Sequence, residues 1–177
     1  LSEQASYAII GSTGTLLIAV AGWQGVTLGA ALYYLVHSTI AGAALFLVSD
    51  VVARRRAGAA DNCSPGPEFA DRQLTGLMFM AAAIAAAGLP PLSGFIGKLL
   101  ILKSVTALPD WGWAWGVILV TTLFGVIVFA RAGSAVFWKS GADEAGAAPT
   151  SASRADLIAP AIALSLLAAL SAGAGWA

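Results

Sequence analysis

Long apolar runs separated by short polar connections dominate the chain. A bilayer core about 30 Å thick is crossed by roughly 20 apolar residues in helical conformation, at about 1.5 Å per residue. Five segments meet that requirement: about Ala5 to Ala21, Thr27 to Val52, Leu74 to Ser104, Trp113 to Trp138 and Leu157 to Trp176. The first is short and is followed by a Trp23-Gln24-Gly25 turn, and the third is interrupted between Gly88 and Gly94. No alternating strand pattern competes with these runs. The expectation is an all-α fold: a polytopic membrane helical bundle of about five transmembrane helices, the third broken, with residues 1–177 forming one bundle.

Composition agrees. Of 177 residues, 59% are hydrophobic and 10% charged, with a mean hydropathy of +0.85. A soluble domain carries about 25% charged residues, so the polar skin of a soluble fold is lacking. Nine basic and nine acidic residues cancel, which gives no electrostatic argument for a nucleic-acid partner. The one cysteine, Cys63, excludes an internal disulfide or a cysteine-based metal cluster. The chain opens Leu1-Ser2-Glu3-Gln4 without an initiator Met, nearly inside an apolar run, and is expected to be a piece of a longer protein.

Charge separates the connections into two kinds. Arg54-Arg55-Arg56, Asp61, Glu68, Asp71 and Arg72 lie between spans two and three, with Pro65 and Pro67 breaking any helix. Arg131, Lys139, Asp143, Glu144 and Arg154 flank a small-residue stretch from Gly141 to Ser153 between spans four and five. The other two connections hold no Arg. By the positive-inside bias both Arg-bearing loops are cytoplasmic, in a multi-pass protein of the cell (inner or plasma) membrane. Trp111, Trp113 and Trp115 at one boundary and Trp138 at the other fit interfacial anchors. Asp50 is expected to pair with the Arg54 cluster, and Asp156 or Ser153 to cap the last helix, with Pro160 in its first turn. Small residues, notably Ala81 to Ala87, allow the close helix packing expected in lipid.

Several polar features do not belong in hydrocarbon. Gly88-Leu89-Pro90-Pro91-Leu92-Ser93-Gly94 must break span three, because its prolines lack donors and clash with the preceding turn. Exposed carbonyls cannot face lipid, so the break is either a simple proline kink or part of an ion or substrate site lining a hydrated cavity. Lys98 follows, in the first turn of the second half-helix and near the midplane. An ammonium there loses hydration and meets the partial positive charge of the half-helix N-terminus, so Lys98 is a candidate proton relay. Lys103, nearer the surface, suits snorkelling better. His37, the only histidine, lies about 15 Å along span two. Imidazole ordinarily titrates near neutrality, so His37 is a second relay candidate or else a neutral, hydrogen-bonded core group, with Tyr33, Tyr34, Ser38 and Thr39 as nearby donors and acceptors. Glu3 and Gln4 stand at the inner mouth of span one, beginning a polar path or merely capping the helix. Arg131 either snorkels or reaches into the bundle. Cys63 receives no role. Phosphate-binding loops, nucleophile elbows, metal-ligand spacings and haem motifs are absent, so neither a cofactor nor a metal is expected.

Two stretches resemble a known family. Leu32-Tyr33-Tyr34-Leu35-Val36-His37-Ser38-Thr39, continuing to Ala43-Ala44-Leu45-Phe46-Leu47, is similar to a helix of the antiporter-like membrane subunits. Gly88 to Lys98 resembles their later broken helix closely. These subunits occur in multisubunit monovalent-cation/proton antiporters (the Mrp type, called Pha in some bacteria) and in NADH–quinone oxidoreductase. The D subunit of the Mrp/Pha antiporters is the most similar. The resemblance implies a fourteen-helix protein of two inverted five-helix repeats plus flanking helices, of which this chain matches the last five. It also implies that Lys98 matches the key lysine of the second broken helix and His37 a family histidine. Gln4 stands where some relatives carry a histidine, and Ser38 and Gly42 stand where many carry a further histidine and lysine.

The function so implied is a membrane subunit, or C-terminal fragment, of a Na+ or K+/H+ antiporter. Protons would pass through Lys98 and His37, with other membrane subunits as partners. The alternatives are a proton-pumping subunit of NADH–quinone oxidoreductase or of a membrane-bound hydrogenase, and a truncated, non-conducting structural remnant.

Overall fold

The computed structural model describes residues 1–56, 62–63, 69, 71–139 and 154–174. Asp61, Pro65, Pro67, Glu68, Asp143, Glu144, Ser153 and Trp176 lie outside the described residues. Within them the chain forms six α-helices and no strand: α1 (Ser2–Ala21), α2 (Gly25–Arg55), α3 (Arg72–Ala87), α4 (Ser93–Val105), α5 (Trp111–Phe137) and α6 (Ile158–Gly173), the last preceded by a 3-10 turn at Arg154–Leu157. Helices α1, α2, α5, and α6 with its leading turn are long and apolar enough to cross a membrane. The two halves α3 and α4, about 24 and 20 Å long, follow one another across the break expected at Gly88–Gly94.

Helix α2 is the pillar. Half of its apolar window is buried, against 11% for α5, because α1, α3, α4 and α6 all pack on it. Its start is fixed locally: the Gln24 amide donates to Thr27 Oγ1 (3.0 Å), whose hydroxyl donates to the Gln24 carbonyl (2.8 Å). Trp23, at φ 45°, makes the reversal from α1.

Ion pairs and carbonyl contacts collect at the end where α2 finishes. Arg54 pairs with Asp50 at 2.8 Å, as expected, one helical turn away. Arg55 and Arg56 turn inward and are buried. Arg55 Nη1 donates to Thr75 Oγ1 (3.0 Å) and lies 3.9 Å from the Asp71 carboxylate. Arg56 donates to the Asn62 carbonyl (2.6 Å). Arg72 Nε donates to the Phe137 carbonyl (2.8 Å), tying the start of α3 to the end of α5. At the opposite end the Trp115 indole N–H donates to the Leu102 carbonyl (3.0 Å), so this tryptophan joins α5 to α4 while Trp111 and Trp113 stay exposed.

The last helix corrects one expectation. Leu157 occupies the N-cap of α6 without a side-chain cap, so Asp156 lies in the preceding 3-10 turn rather than at the cap, and Ser153 lies outside the described residues. Pro160 falls in the first turn as anticipated.

Two apolar cores divide the bundle along its length. One gathers Leu45, Val48, Val52, Phe79, Phe129 and Phe137 toward the Arg-bearing end. The other gathers Ala19, Ala30, Tyr34, Ile101, Val105 and Ile118 toward the opposite end. The break in span three lies where the two meet.

Candidate site at the broken helix

The break begins at Gly88, two residues before the first proline. Gly88 takes a left-handed conformation (φ 75°), its amide donates to the Ala85 carbonyl (3.0 Å), and the Leu89 amide reaches the Ile84 carbonyl (3.0 Å). This is the Schellman closure that glycine permits at a helix end. Pro90 and Pro91 then lie in the exposed linker, joined by a cis peptide bond, and α4 starts at Ser93. Thus the glycine ends the helix, and the prolines keep it from resuming.

The closure uses the carbonyls of Ile84 and Ala85 and leaves that of Ala87, which Lys98 takes. Nζ donates to the Ala87 carbonyl (2.9 Å) and to Thr122 Oγ1 on α5 (2.7 Å). This corrects two expectations. Lys98 is the sixth residue of α4, hence in its second turn, because α4 starts as early as Ser93. Its side chain leans back toward the helix start, as helical side chains do, and so meets the partially negative C-terminus of α3 rather than the positive N-terminus of α4. Its aliphatic stem crosses Gly88, where a Cβ would stand 2.8 Å from Cδ.

His37 sits on the other side of the break, 1% exposed. Its Nδ1 is 2.8 Å from Ser93 Oγ, and the ring also engages the Ala85 carbonyl, so one imidazole spans both half-helices. Gly94 makes room: a Cβ there would fall on the Ala85 carbonyl and 2.7 Å from Nε2. The neighbours expected to bond His37 do other things. Ser38 and Thr39 donate to the Leu35 carbonyl (3.1 and 2.8 Å), because helical Ser and Thr hydroxyls reach back one turn. Tyr33 donates to Leu170 on α6 (3.3 Å). Tyr34 packs its ring 5.7 Å from the imidazole and sends its hydroxyl to Ser12 (3.4 Å).

A cavity of about 320 Å³ leads to Lys98 between α1 and α5. Gln4, Ser12, Thr15, Tyr34 and Thr122 are among its polar lining, and Phe124 and Phe129 are among its apolar walls. Along α1 it extends from Gln4 to Thr15, about 16 Å. Lys98 therefore borders space large enough for several waters, whereas His37 lies outside that lining. Gln4 stands at the cavity as the polar-path reading expects, while Glu3 is exposed beside it and lines no part of it. Lys103 and Arg131 are both exposed and away from the cavity, so Arg131 does not reach into the bundle.

Ser93, Ser12, Thr15 and Thr122 escape sequence reasoning. Thr121-Thr122 is the available signal: two hydroxyls in the middle of an apolar span. Among the described residues no three His, Cys, Asp or Glu side chains gather as a metal site.

The transmembrane family described as NADH:quinone oxidoreductase/Mrp antiporter matches residues 3–125, which include the break, His37, Lys98 and Thr122. The chain belongs to this family. Among curated proteins, the D subunit of a probable K(+)/H(+) antiporter of Rhizobium meliloti (strain 1021) is 32% identical over 169 residues, covering 79% of this chain and 31% of the relative. The D subunit of a Na(+)/H(+) antiporter of Bacillus subtilis (strain 168) is 35% identical over 97 residues, covering 55% of this chain and 20% of the relative. The chain thus spans less than a third of the length of these relatives. As a member of the NADH:quinone oxidoreductase/Mrp antiporter family it is a multi-pass membrane protein of the D-subunit type.

Proposed function

We propose that this chain forms the proton-handling C-terminal part of the D subunit in a multisubunit monovalent-cation/proton antiporter. The Arg-bearing end faces the cytoplasm and other membrane subunits complete the assembly. The observation that carries the reading is the Lys98 amine, which borders a cavity with polar lining while anchored to the broken helix. Water entering past Gln4 delivers a proton to the amine or removes one from it. The Ala87 carbonyl and Thr122 hydroxyl orient the amine, and Phe124 and Phe129 stand among the apolar walls of the cavity. His37 follows on the far side of the break as the second titrating group, reached through Ser93.

The names of the relatives favour the antiporter over a proton-pumping respiratory protein, although the family includes both. Replacing Lys98 with Ala in the complete assembly tests the reading. Cation-driven proton flux across the membrane of inverted vesicles is expected to fall at least tenfold, with the amount of assembled complex unchanged. Flux equal to that of the parent overturns it.

A further inference from the structure

We propose that Thr122 is a positioning residue that fixes which proton of Lys98 is exchanged. The proposal rests on the reading of Lys98 as a proton-exchanging group and adds a partner on a different helix. An ammonium has three N–H donors. Two are taken by protein acceptors, the Ala87 carbonyl and Thr122 Oγ1, and the third is left to the cavity. Thr122 accepts here, because its own hydrogen goes to the Ile118 carbonyl one turn earlier (2.7 Å). Both acceptors are therefore fixed in direction: one is backbone, and the other is held by the ladder of α5.

The consequence is chemical. When the amine releases a proton to cavity water, the N–H bond that breaks is the cavity-facing one, and its electron pair stays on nitrogen as a lone pair aimed at the water. The remaining two N–H bonds keep their acceptors, so the nitrogen holds its place in both protonation states. Reprotonation from water restores the third bond along the same line. Gly88 contributes by leaving a slot in which the stem lies flat, since a Cβ there would stand 3.1 Å from Cε and 3.2 Å from Nζ. Without the Thr122 acceptor, one N–H is freed and the amine swings about its last bond, so the lone pair no longer forms where the water stands.

Thr122→Val keeps the shape of the side chain and removes the acceptor, while Thr122→Ser keeps the acceptor. In the complete assembly, T122V is expected to reduce cation-driven proton flux at least tenfold and to displace the pH profile of the flux by half a unit or more. T122S is expected to stay within twofold of the parent. Assembled complex is quantified for each, and T122A replaces T122V if the latter does not assemble. Parental flux in the variant lacking the hydroxyl, an equal loss in T122S, or a reduction by one factor at every pH each overturns the proposal. Lys98→Ala run in parallel separates the two failures. Full loss in K98A with parental flux in T122V rejects only the role of Thr122, whereas parental flux in K98A rejects the transport reading itself.

Discussion

At the residue scale, two glycines do what no other residue could. Gly88 adopts a left-handed conformation and leaves a slot for the Lys98 stem, and Gly94 lets the His37 ring approach the Ala85 carbonyl. Gly94→Ala forces a methyl onto backbone that cannot retreat, and overpacking of this kind costs about 1–3 kcal/mol. A lower thermal unfolding midpoint of the purified protein is the expected outcome. Gly29→Ala is the control, because nothing lies within 4 Å of its Cβ position and alanine favours the helix by up to about 1 kcal/mol. An unchanged midpoint in G94A would mean that the ring and carbonyl separate freely. This scale is partly legible in the sequence. His37, Lys98 and the Gly-Pro break stand out because polar and helix-breaking residues are costly in lipid. Their partners do not, because Ser93 and Thr122 are inexpensive anywhere in a membrane helix and declare themselves only when the fold brings them within 3 Å of an amine or imidazole.

At the element scale, the unequal burial of α2 and α5 sets what each can do. Helix α2 is held on several sides, while α5 is attached at a few points: Arg72 to the Phe137 carbonyl, Phe79 against Phe129 and Phe137, Trp115 to Leu102, and Lys98 to Thr122. Arg72→Leu removes a charge-assisted bond of about 1.5–3 kcal/mol. Deuterium exchange is then expected to quicken in the last turns of α5 while the centre of α2 stays protected. Uniform quickening in both helices would show that the two unfold as one unit. Helix positions are easily read from apolar run length, and the break falls at Gly88 as expected, but the Schellman closure that ends α3 there is not visible in the sequence. The partner that the Lys98 side chain meets, the Ala87 carbonyl at the end of α3, is likewise hidden from its position alone. A residue's place in a helix does not fix which helix end its side chain meets.

At the scale of the whole molecule, the two apolar cores leave the break between them and a cavity running from Gln4 to Lys98. Gln4 lines the end of the cavity furthest from Lys98 along α1, so added bulk there intrudes on that space. Gln4→Trp in the complete assembly is expected to lower cation-driven proton flux severalfold, and Gln4→Ala to leave it within twofold of the parent. Equal flux in both would place the entry of water elsewhere. A bundle of about five crossings follows from hydropathy, and the cavity does not. It depends on which faces of α1 and α5 stand opposite one another, and apolar run lengths carry no information about rotation around a helix axis.

The Sγ of Cys63 donates to Gln4 Oε1 at 3.4 Å. This thiol is the single one in the sequence and is half-buried. The protein therefore carries a native attachment point for a polarity-sensitive dye within one contact of the cavity mouth. A fluorophore placed there would report changes of polarity beside the Gln4 end of the cavity.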